Sequence, residues 1–158
     1  MKLNGQIISG PNVEIIPIPR GNGEDLIFKA QAVTNLEDFE KRYPEPKPPK
    51  IHKPGGKTEL DYNDPDYKRT LNEYGDIRWS WIVMQSLKAT ETLEWETVKE
   101  DDPNTWRKWK REMLDSGFSF MEVSRIERGV MAANCLSEDK IEEARQRFIL
   151  SQVLPQKE

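Results

Sequence analysis

Four stretches hold residues whose types and spacing could do chemistry. The first, "GGKT" at Gly55 to Thr58, matches the end of a phosphate-binding loop. That loop needs a glycine five residues before Gly56, where Ile51 stands, and a buried strand ahead of it, where a proline run stands. The match reads as a turn. The second, "DYNDPD" at Asp61 to Asp66, resembles the opening of a calcium loop, but Pro65 takes the fifth ligand position and no glycine follows. Helix capping accounts for these acids better. The third is the pairing of the single histidine, His52, with the single cysteine, Cys135, which falls short of the four ligands of a zinc site. No serine or cysteine nucleophile has a histidine base other than His52 to act with. No catalytic, cofactor-binding or metal-ligating residue is assigned, and the chain reads as a non-enzyme.

The fourth stretch, "ETLEWETVKEDD" at Glu91 to Asp102, places six carboxylates around Trp95. Three readings stand in order: a solvated acidic loop, a surface for a basic segment of a partner, and paired carboxylates for acid–base work. The partner reading rests on Trp95 with Glu94, Glu96 and Asp101. A second candidate contact is the run "YPEPKPPKIHKPGGK" at Tyr43 to Lys57, where Pro46, Pro48 and Pro49 could dock as extended polyproline. A passive spacer is the plainer alternative. Little apolar area offsets the cost of ordering this run, so the free chain is expected to leave it mobile or extended.

These stretches need elements to hold them. Residues 1–33 read as strands, because "LIFKAQAV" alternates Leu26, Phe28, Ala30 and Ala32 against Ile27, Lys29, Gln31 and Val33. "VEIIPIP" is β-branched but carries Pro17 and Pro19, which suits a sheet edge. A three-stranded antiparallel meander is expected, followed by a short helix capped at Asn35. Beyond the prolines the punctuation is helical. Asp64 caps and Pro65 opens a long helix with Trp81 in its core, and Asp102 and Pro103 open a second with Trp106, Trp109 and Met113 on one face. Ser119 and Glu122 form a capping box ahead of Phe120, Val123, Ile126, Val130 and Ala133. Ser137 opens the last helix, with Ile141, Ala144 and Phe148 expected inward. The fold class is α+β: a β-rich region over 1–42, a Pro/Lys-rich linker over 43–60, and a four-helix bundle over 61–158 that folds without the sheet.

Composition narrows the function. Residues 1–60 carry nine Lys/Arg against eight Asp/Glu, and residues 61–158 carry fifteen against twenty. Neither half supplies the basic face of a nucleic-acid binder. No window is apolar enough to span a membrane and no basic-then-apolar leader opens the chain, while a lone cysteine suits a reducing compartment. A soluble, intracellular protein is expected.

The segments "LEWETV…DDPNTW" and "SGFSFMEVSRIERGVMAANCLSEDKIEEARQRF", with the opening "LNGQIISGPNVEIIPIPR…DLIFKAQAV" and the "PEPKPP" run, resemble the small tail assembly chaperones of long-tailed bacteriophages. The resemblance spans most of the chain and carries no catalytic signature. It implies a protein of the host cell cytoplasm that binds the tape measure protein, keeps it soluble and helps recruit tail tube subunits. Self-association into a homo-oligomer fits the same role. A structural tail or neck component, or an inhibitor of a host protein, are the competing readings.

Overall fold

In the computed structural model, which describes residues 1–153, the chain is mixed α+β and divides into two compact units. The first unit takes residues 1–34, 85–93 and 118–158, and the second takes 35–84 and 94–117. The proline stretch belongs to the second.

The first unit begins with a short hairpin, β1 (Lys2–Leu3) and β2 (Gln6–Ile7), turned by Asn4 and Gly5, both at positive φ. A longer antiparallel pair follows, β3 (Val13–Ile18) with β4 (Leu26–Gln31), in the register Ile16↔Phe28 and Ile18↔Leu26. The strands therefore form separate pairs and not one three-stranded meander. Gly10, at positive φ, and Pro11 interrupt the chain between them. Alternation along β3 and β4 buries Ile16, Ile18, Phe28 and Ala30 on one face. Helix α5 (Phe120–Ala133) covers that face with Val123, Ile126, Val130 and Ala133. Burying each large apolar side chain contributes about 1.5–3 kcal/mol. The approach is close: a Cβ on Gly129 would lie 2.3 Å from Cδ1 of Ile16, so any side chain there would have to displace Ile16.

Polar bonds fix the same packing. Asn12 Nδ2 donates to Ala133 O at 3.0 Å, and Val33 N donates to Asn134 Oδ1 at 2.8 Å. Arg20 pairs with Glu122 at 3.1 Å and lies 4.9 Å over the Phe118 ring, which meets Phe28 edge-on. Phe120, expected on the inner face of α5, is 74% exposed. Phe118, just outside the helix, fills that end of the core instead. The Ser119–Glu122 capping box forms as expected.

In the second unit, α1 (Glu37–Arg42) carries Phe39 into the core, where its ring lies 5.4 Å from Tyr74, 5.7 Å from Trp81 and 6.0 Å from Trp106. The N-cap is Leu36 rather than the expected Asn35, whose Oδ1 instead accepts from Glu37 N at 2.7 Å one residue ahead of the cap. Helix α2 (Pro65–Leu87) opens on Asp64, whose Oδ1 accepts from Tyr67 N at 2.7 Å, and runs unbroken through Gly75; its last residues belong to the first unit. The second helical stretch divides into α3 (Pro103–Trp106) and α4 (Trp109–Asp115) at a tight turn where Lys108 N bonds Thr105 O. Trp106, Trp109 and Met113 remain buried across the break.

The proline run is not extended throughout. Its second half folds into an antiparallel hairpin, β5 (Lys50–His52) with β6 (Thr58–Leu60). Gly55 and Gly56, both at positive φ, supply the turn, so "GGKT" is a hairpin connection. Every residue of both strands is exposed, which agrees with a stretch that has almost no apolar area to bury.

Candidate interaction surfaces

The acidic stretch Glu91–Asp102 is anchored. Its organiser is Glu112 on α4, which the sequence reading did not single out. Oε2 of Glu112 accepts from Thr97 N at 2.9 Å and Val98 N at 3.2 Å, and also from the Thr97 hydroxyl, while Oε1 accepts from Glu96 N. Three successive N–H groups thus converge on one carboxylate. Burial pushes this carboxyl up, but bonds from the Thr97 hydroxyl and from the 96–98 backbone outweigh it and hold the group below its usual range. The other end of the stretch is clamped by Trp106, whose Nε1 donates to Lys99 O at 3.0 Å, and by Thr105 Oγ1, which accepts from Lys99 N at 2.8 Å.

Of the proposed partner contacts, Glu94, Glu96 and Asp101 are exposed and Trp95 is half-buried, all on this one loop. Pro46 and Pro48 are half-buried and Pro49 is exposed. The loop's shape is set from within the unit: the N–H groups of residues 96–98 are spent on Glu112, and Glu94, Glu96 and Asp101 are left exposed.

A surface that the sequence reading placed wrongly is α6 (Glu138–Val153). Ile141, Ala144 and Phe148 were expected inward, yet every residue from Glu138 to Gln152 is exposed, Phe148 at 65%. The cause lies in α5, whose apolar face is already taken by β3 and β4 and leaves no core for a further helix. Side-chain pairs one turn apart support α6 in place of packing: Glu142 with Arg145, Glu143 with Arg147 at 3.8 Å, and Gln146 with Glu142 at 2.7 Å. Lys140 reaches back to Glu14 on β3. The exposed Ile141 and Phe148 share one side of the helix, two turns apart, with Ile149 beside them, while Leu150 stands among the charged residues opposite.

Cys135 is exposed at φ 56 at the end of α5, a conformation usually left to glycine or asparagine. Among the described residues, no group of three His, Cys, Asp or Glu is placed to hold a metal, and no helix is long and apolar enough to cross a membrane. Comparison of the chain with known protein families, with curated proteins and with solved structures finds no match.

Proposed function

We propose that the chain is a non-catalytic assembly chaperone, and that α6 is the element that holds its client. The observation behind this reading is a helix of 16 residues with apolar side chains and no buried position among residues 138–152. A solitary helix of that length is marginal in water, so docking an apolar helical client stabilises it as well as the client. The client and setting come from the resemblance: the tape measure protein of a long-tailed phage, in the host cytoplasm, with tail tube subunits recruited afterwards. The acidic loop around Trp95 and the Pro46–Pro49 stretch are secondary contacts in this reading.

Co-expression tests it. The tape measure protein should stay soluble with the wild-type chain and precipitate with a Phe148→Glu/Ile149→Glu variant of unchanged melting temperature. Purified virions should lack the protein while infected cells contain it. Its presence in virions would make it a structural tail or neck component, and tight capture of a single host protein would make it an inhibitor.

A further inference from the structure

We infer that the outer edge of β3 is a docking cleft for an extended, acidic segment of a partner polypeptide. The first observation is which way the strand's backbone points. In the β3–β4 pair, Lys29 gives neither N–H nor C=O to β3: Lys29 N donates to Thr90 Oγ1 at 2.8 Å, and the Thr90 hydroxyl donates to Lys29 O at 2.9 Å. Its neighbour in register, Ile15, therefore turns its own N–H and C=O away from β4. The bond from Ala32 N to Asn12 O, at 2.8 Å, fixes the same alternation, with even-numbered residues of β3 facing β4. Thr90 closes the free edge of β4. Nothing among the described residues closes that of β3.

That open edge borders a cavity of about 310 Å³. One wall is β3 itself, with Ile15 52% exposed and Pro17 beside it. The other is a stripe of α5 at helical spacing, Arg125, Arg128, Gly129 and Ala132, continued by Lys140 at the start of α6. Lys140 is paired with Glu14. Arg125 and Arg128 form no ion pair among the described residues, so the cleft presents two uncompensated guanidinium groups over an apolar floor. Ala132, with its small side chain, contributes to that floor.

The chemistry selects the occupant. Main-chain donors and acceptors at strand spacing are met by an extended peptide, and the two guanidiniums are met by carboxylates on its alternate residues. Pro17 lacks an N–H, which limits the added strand to a short pairing centred on Ile15. A nucleic acid would meet the charges but not the strand edge, and the lining offers no aromatic ring for a base to stack on. The cleft is built from β3, α5 and the first turn of α6, so it stands apart from the exposed apolar residues proposed to hold the client.

The test uses the full chain and a capped hexapeptide of alternating valine and glutamate, with a valine and lysine peptide as control. Amide shifts should change at Ile15 and along Arg125–Ala132 with the acidic peptide only, and the affinity should fall as salt rises. Arg125→Glu/Arg128→Glu, two exposed positions, should weaken binding by about tenfold or more while leaving the melting temperature unchanged. Ile15→Pro removes the outward N–H without touching the β3–β4 bonds and should weaken binding too; if that variant does not fold, the arginine variant decides. Phe148→Glu should leave the peptide affinity intact, which separates this cleft from the client surface. Equal binding of the lysine peptide, indifference to charge reversal, shifts confined to α6, or preference for a single-stranded oligonucleotide would each overturn the proposal.

Discussion

Glu112 shows how much one carboxylate organises. Because hydrogen bonds hold its folded-state pKa below the ordinary range, the ionised form stabilises the fold. That contribution is complete above the pKa of the unfolded chain and disappears as pH falls through the lower folded value. Glu112→Gln should therefore cost about 1–2 kcal/mol near neutral pH, taking the low end for a half-buried charged acceptor. The deficit should shrink as pH falls from the ordinary glutamate range through the lower folded value, where the wild-type carboxylate takes up its proton. Thermal melts of both proteins across that range measure it, and a deficit independent of pH would show that the bonds act through shape alone. Asp64, Asp102 and the Ser119–Glu122 pair could be read from the sequence because each bonds a backbone N–H within three residues. Glu112 could not, because its partners lie 14 to 16 residues away. Phe39 was hidden for the same reason: one aromatic in a six-residue helix carries no periodicity that marks it as central.

Among the elements, α6 and α5 make a pair of opposites. Both have clear start signals, and both form where those signals stand. The apolar stripe of α5 finds strands, whereas that of α6 finds solvent. Helical spacing reveals that a face is apolar but not whether a partner in the same chain covers it. If α6 contributes only its own helix and the Lys140–Glu14 pair, a chain ending at Leu136 should lose no more than about 1 kcal/mol of stability. Denaturant titration of that shortened chain is the measurement, and a loss of several kcal/mol would place α6 in the core after all. The β5–β6 hairpin is the other element missed. Three-residue strands with every side chain exposed leave no alternation to detect, and only the paired glycines hinted at a turn.

For the whole molecule, the sequence suggested a helical region over 61–158 that folds alone. Its α+β class and helix starts were legible, but the partner of α5 was not, since β3 and α5 are separated by about 100 residues. A fragment of residues 60–158 would leave Val123, Ile126, Val130 and Ala133 without Ile16, Ile18, Phe28 and Ala30 to cover them. It should melt at a lower temperature and less cooperatively than the intact chain while keeping some helical circular dichroism. A sharp transition at the wild-type temperature would show that α5 needs no strands.

The same discontinuity bears on synthesis. The β3–β4 hairpin leaves the ribosome early, yet the helix that covers it is completed only when Ala133 has been translated, about 100 residues later. At about 5–20 residues per second, its apolar face waits roughly 5–20 seconds uncovered. A nascent chain of this kind depends on whatever shields that hairpin in the interval, such as trigger-type holdases at the exit tunnel, and slowing translation between residues 34 and 118 should lower the soluble yield.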